Sequence, residues 1–143
     1  MIVMLDHIGV VAHTIEEAME TLDSRLGFPL DQGATPLPDG AYFAPEGTHN
    51  YMFQVGEGQT RIEVLIPAVK EAGTWKYLQR FGPGLHHWGF GCDDVAAESA
   101  RLRAQGLRQI DLGVKDPDSV SAAFFHPKSA GGILTELVPA RRR

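Results

Sequence analysis

Four side chains able to bind a metal ion sit at corresponding places in a sequence that repeats itself. Leu5-Asp6-His7-Ile8-Gly9-Val10 returns eighty positions later as Leu85-His86-His87-Trp88-Gly89-Phe90, with leucine, histidine and glycine in register. The two stretches that close the halves also match, Ile62-Glu63-Val64-Leu65-Ile66-Pro67 against Thr135-Glu136-Leu137-Val138-Pro139. Each half therefore opens on a strand carrying a histidine, His7 or His87, and closes on one carrying a glutamate, Glu63 or Glu136. Two neutral imidazoles and two carboxylates suit a divalent ion such as Co, Mn, Ni, Zn or Fe, with coordination positions left for water or substrate. A duplicated unit folded about a pseudo-twofold axis would bring the four together. The competing reading pairs Glu63 and Glu136 with Arg61 or Lys128 at a surface. Parity argues against it: each glutamate shares a strand face with leucine or valine, where an unpaired carboxylate is costly.

The elements that must hold these residues can be read in order. Met1 to Ala12 is a strand with His7, Gly9 and Val11 on one face. Thr14-Ile15-Glu16-Glu17 has the form of a capping box, and Ile15, Ala18, Met19, Leu22 and Leu26 fall at helical spacing up to Gly27. Prolines and glycines break residues 28 to 49, with a strand fragment at Ala41-Tyr42-Phe43. Glu46 and His49 lie in this loop-rich stretch, where the sequence leaves two readings open, the lining of a pocket and a solvated loop. Asn50 to Val55 and Arg61 to Ile66 form a hairpin, followed by a short helix over Trp75 to Arg80.

The second half repeats the plan. Asp93 or Asp94 caps a helix that runs to Gly106 with Val95, Ser99 and Leu102 inward. A weak strand signal spans Leu107 to Leu112, and Ala122 to His126 pairs with Ile133 to Val138. Both halves thus read as βαβββ modules of an α+β protein, about 1–67 and 85–139, joined by a crossover at 68–84. His86 has the opposite parity to His87, so the repeat selects His87 for the site; His126 shapes its loop and His13 sits beside a helix cap.

Composition bounds the rest. In 143 residues, 43% are apolar and 22% charged, which suits one globular domain without staples. The net charge of −5 gives no basic field for nucleic acid. Arg141-Arg142-Arg143 reads as a solvated end. The single cysteine, Cys92, excludes an intrachain disulfide and a cysteine-based zinc site. No membrane span or signal peptide is expected, and the default location is the cytoplasm.

With these motifs in hand, the chain resembles the vicinal oxygen chelate superfamily, and within it the methylmalonyl-CoA epimerase branch. The matching blocks are Leu5 to Gly9, Thr60 to Pro67, Gly82 to Phe90 and Phe125 to Leu137. His126-Pro127-Lys128-Ser129-Ala130-Gly131-Gly132-Ile133-Leu134-Thr135-Glu136-Leu137 is the most specific of them. The resemblance implies one domain over 1–143, in which two βαβββ modules form a cupped mixed sheet around one divalent metal. It implies ligands at His7, His87 and Glu136, a fourth at Glu63, and assembly as a homodimer. The chain departs from that branch at Thr48-His49-Asn50-Tyr51 and at Lys115-Asp116-Pro117-Asp118-Ser119.

The activity this implies is a metal-dependent isomerase of epimerase type, moving a proton α to a carbonyl of a small substrate, an acyl-CoA in the branch it resembles. Glu136 is the first choice for proton transfer, with Glu46 or His49 on the opposite face. Alternatives on the same fold are an extradiol-type dioxygenase using His7, His87 and Glu136 on Fe(II), or a glyoxalase-type lyase. A metal-free binding or resistance protein is the alternative outside enzymes.

Overall fold

The computed structural model describes residues 1–113 and 121–141. Its strands are β1 (Ile2–Val11), β2 (Ala41–Phe43), β3 (Thr48–Gln54), β4 (Arg61–Pro67), β5 (Gly84–Cys92), β6 (Ala123–Phe125) and β7 (Leu134–Pro139). They form one mixed sheet in the order β2-β3-β4-β1-β5-β7-β6. Among the described residues three α-helices accompany them: α1 (Ile15–Met19), α2 (Gly73–Phe81) and α3 (Val95–Ala104). Among the described residues no helix is long and apolar enough to cross a membrane. Backbone contacts divide the chain into two compact units, Ile8–His86 and Met1–His7 with His87–Arg143. The boundary does not follow the sequence repeat, because β1 changes unit immediately after His7.

In the unit Ile8–His86, Thr14 caps α1 as its position demands, its hydroxyl accepting from the Glu17 amide at 3.2 Å. The chain does not stay α-helical to Gly27. From Glu20 to Arg25 it widens into a π-helical turn, with the Leu26 amide reaching back five residues to the Thr21 carbonyl at 3.0 Å. That extra residue in the turn rotates the apolar stripe. Ile15, Ala18, Met19 and Leu22 pack on Ala12, Tyr51, Phe53 and Val64, while Leu26 is left 55% exposed. Gly27 then takes a positive φ of 77°, which ends the helix at low cost. β3 and β4 pair antiparallel along their full lengths, Thr48 opposite Pro67 through Gln54 opposite Arg61, and β2 adds to the β3 edge.

The other unit has the first part of β1, β5, α3, β6 and β7. Asp94, rather than Asp93, caps α3 by accepting from the Ala97 amide at 3.0 Å. Asp93 instead pairs with the Met1 amino group. Ser99 and Leu102 are buried as the helical spacing requires, and Gly106 (φ 97°) follows the last turn. The core here is Cys92, Leu102, Ala123, Phe125 and Leu137. Phe125 is fully buried, so truncating it to alanine would cost about 3–5 kcal/mol. Burial, assisted by the nearby Glu98 charge, pushes the Cys92 thiol up to about 11. It is therefore a packed side chain, not a nucleophile.

β5 and β7 run parallel, and β6 pairs antiparallel with the other edge of β7. The strand expected at Leu107 to Leu112 is reduced to a bridge between Gln109 and Phe125. The flanking bonds are Ile110 N–H to the Phe124 carbonyl and His126 N–H to the Arg108 carbonyl. The ladder cannot extend toward the helix because the Arg108 amide donates to the Ser129 hydroxyl at 2.9 Å instead. The departure at Lys115 to Ser119 lies outside the described residues.

Candidate metal centre

β1, β5 and β7 each deliver one side chain to a common point, all within one unit. Alternation along β5 buries His87, Gly89 and Gly91 and turns His86 to the other face. There His86 meets the Tyr77 ring edge-to-face, 4.8 Å between centroids. The strand parity that selected His87 over His86 thus describes the two orientations. Register adds the third residue, because the parallel pairing sets Glu136 beside Gly89. His7 and His87 are each 4% exposed, and the Glu136 side chain 12%.

A glycine makes the approach possible. A Cβ on Gly89 would lie 2.2 Å from Cε1 and 2.6 Å from Nε2 of His7. The His7 ring occupies the space that any side chain at position 89 would fill. The His-x-Gly pattern of the second half therefore serves the histidine of the first.

The three ligand atoms are close to one another. His7 Nε2 is 3.1 Å from His87 Nε2 and 2.9 Å from Glu136 Oε1, and His87 Nε2 is 3.5 Å from the same oxygen. Atoms about 2.1 Å from one ion, in tetrahedral or octahedral directions, stand roughly 3.0–3.4 Å apart. The spacing fits a shared cation. So does the chemistry of the donors. His7 Nδ1 lies 2.7 Å from Asp6 Oδ2, so it carries the proton and leaves the Nε2 lone pair facing a carboxylate oxygen. Two acceptors at 2.9 Å call for a positive centre between them.

Asp6, which the sequence did not single out, is the carboxylate in contact with His7. It is 4% exposed, and its second oxygen accepts from Arg141 Nε at 2.8 Å. A second guanidinium nitrogen of Arg141 donates to the Asp6 carbonyl at 3.1 Å. Arg141 is therefore not part of a solvated end, as expected from sequence: an ion pair with a buried carboxylate holds it. The signal available was Asp6 itself, a charge inside the apolar run of β1 that required a countercharge.

The other predicted residues lie in the unit Ile8–His86. Glu63 stands on β4 opposite Met52 and is half-buried. Glu46 is half-buried in the turn between β2 and β3, where its carboxylate accepts from the Thr74 amide at 3.3 Å. It covers the first turn of α2, whose own cap residue, Ala72, has no side chain for the task. His49 Nδ1 lies 2.8 Å from the Asp39 carbonyl, and its ring tilts against Tyr42. Of the departing Thr48-His49-Asn50-Tyr51 stretch, Thr48 and Tyr51 are buried.

Known proteins agree with this architecture. The chain is 28% identical to the human mitochondrial methylmalonyl-CoA epimerase, over 95% of its own length and 73% of that protein. It is 26% identical to an uncharacterised Bacillus subtilis protein, YqjC, with 93% and 89% covered. Among solved structures, the methylmalonyl-CoA epimerase of Mycobacterium tuberculosis superposes with a TM-score of 0.80 at 28% identity, covering 98% of this chain and 90% of that one. The Streptomyces coelicolor methylmalonyl-CoA epimerase, solved with 2-nitronate-propionyl-CoA, gives 0.82 at 26% identity, covering 99% and 100%. The model of the glyoxalase-like domain matches residues 5–128, and on that match, with its vicinal-oxygen-chelate arrangement of strands, the chain belongs to the glyoxalase-like domain family.

Proposed function

We propose that this protein is a metal-dependent isomerase of epimerase type, moving a proton on the carbon between a carboxylate and a thioester, as in 2-methylmalonyl-CoA. The observation that carries the reading is the convergence of His7, His87 and Glu136 at ion-sharing distances. The epimerase relatives supply the substrate class. A divalent ion held by these residues, with Glu63 as fourth ligand on the strength of the repeat, would supply Lewis acidity to two substrate oxygens.

The chain's own groups do the remainder. Glu136 is the most open of the three and is the group proposed to take the α-proton. Asp6 keeps His7 in the tautomer that presents Nε2. Inversion at carbon needs a second acid or base on the opposite face, for which Glu46 is preferred over His49. Among the positions substituted in the Streptomyces enzyme are a glutamate and a glutamine whose separation equals that of Glu46 and Glu63, besides a serine. A homodimer in the cytoplasm belongs to the same reading.

The test is solvent deuterium exchange at the α-carbon of 2-methylmalonyl-CoA. Metal-loaded protein should exchange it, and Glu136→Gln should reduce the rate by at least about 100-fold. Absence of exchange across a range of pH would reject the CoA substrate. One observation favours a second reading. Two histidines and one carboxylate are also the ligand set of non-haem Fe(II) oxygenases, so catechol cleavage with Fe(II) would move the assignment there.

A further inference from the structure

We infer that Arg141 is a positioning residue for the metal centre, acting through Asp6 on His7. Two oxygens of one carboxylate have divided tasks. Asp6 Oδ2 takes the Nδ1 proton of His7, and Oδ1 takes the Nε–H of Arg141. The second bond from Arg141, to the Asp6 carbonyl, ties the guanidinium to the β1 backbone as well as to the side chain. A planar guanidinium held at two points fixes the direction of the carboxylate it binds, which an ammonium would do less well.

The burial of these groups explains why such a fixture is needed. Asp6 lies on the strand position next to His7, and both are buried, so the alternation of β1 breaks at this pair. A buried carboxylate is costly unless a cation pairs with it. The arginine supplies that cation. It draws part of the carboxylate's charge away from His7, so Asp6 can orient the ring while leaving Nε2 as a lone-pair donor toward His87 and Glu136. Removing the guanidinium would free the carboxylate to turn away from His7 Nδ1 and release the ring from the orientation that presents Nε2. That change lowers affinity for a cation at Nε2. Histidine-orienting partners of metal sites are worth about 10–100-fold in metal affinity, and Arg141, one bond further out, falls at the lower end of that range.

The inference rests on the metal reading, and the experiment separates the two. Zn²⁺ affinity is measured by competition with a chromophoric chelator for the full-length protein, Arg141→Ala, Arg141→Lys and Asp6→Asn. The ¹⁵N resonances of His7 are recorded in the zinc-loaded forms. The expected result is about tenfold weaker zinc binding for Arg141→Ala, a larger loss for Asp6→Asn and partial recovery for Arg141→Lys. A broadened or shifted Nδ1–H signal of His7 in Arg141→Ala should accompany the loss, which a defect confined to overall stability would not produce. Equal or tighter zinc binding by Arg141→Ala, or an unchanged His7 signal, would overturn the inference with the metal site intact. Failure of the unaltered protein to bind zinc or any other divalent ion would overturn both.

Discussion

The closing strands β4 and β7 start from the same sequence pattern, and their glutamates have different neighbours. β4 pairs with β3 along seven positions, which sets Glu63 opposite Met52. β7 pairs parallel to β5 and antiparallel to β6, so its Glu136 lies between Gly89 and Phe124; β4 is likewise flanked by two strands, β3 and β1. Parity gives both carboxylates a defined face. What stands beside each one decides what it can meet. At Glu136 the neighbour is a glycine, and the His7 ring fills the vacant side-chain space. At Glu136 the glycine across the ladder is what lets the His7 imidazole reach the carboxylate, which the repeat alone does not reveal.

The widest separation between the two strands should come from truncating the glutamates. Glu136→Ala should weaken divalent-metal binding by more than the roughly 100-fold upper range for supporting residues. Glu63→Ala should weaken it by less, because Glu136 is the carboxylate that stands with His7 and His87 at ion-sharing distances. Equal losses measured by calorimetric titration would show that the two strands contribute alike.

Adding one methyl group sharpens the same contrast. Gly89→Ala places Cβ inside the His7 ring, so it should cost about 1–3 kcal/mol of stability and reduce metal affinity together. Gly58→Ala, where a Cβ meets nothing within 4 Å, should stay within about 0.5 kcal/mol and leave metal binding unchanged. Denaturant unfolding of both variants, followed by metal titration, checks the pair.

The helices offer a comparison of smaller effect. Leu102 of α3 is 9% exposed and Leu26 after the π-helical turn is 55% exposed, although both lie on apolar stripes in the sequence. Leu102→Ala should destabilise by about 2–3 kcal/mol and Leu26→Ala by less than about 0.5 kcal/mol. A large loss at Leu26 in urea unfolding would mean that its helical face is covered.

What could be read from the chain was local or periodic. Thr14 and Asp94 announce helix starts because a capping oxygen acts within three residues, and Gly27 and Gly106 mark helix ends for the same reason. His86 and His87 separate by strand parity alone. The missed features depend on partners far along the chain. Arg141 meets Asp6, Glu46 covers the start of α2, and the Arg108 amide prefers Ser129 over a strand partner. The π-helical turn is local, but its sequence keeps the apolar spacing of an ordinary helix, so nothing in the pattern distinguishes it. Gly89 was visible as part of the repeat, while its purpose became clear only when the His7 ring was seen above it.

The central claim is that one ion is shared by residues on three strands, and metal content tests it most directly. Protein loaded with a divalent ion and freed of excess is assayed by elemental analysis, alongside His87→Ala and His86→Ala. One ion per chain is expected for the unaltered protein and for His86→Ala, and a stoichiometry near zero for His87→Ala with its circular dichroism unchanged. Full occupancy in His87→Ala, or loss in His86→Ala instead, would contradict the site described.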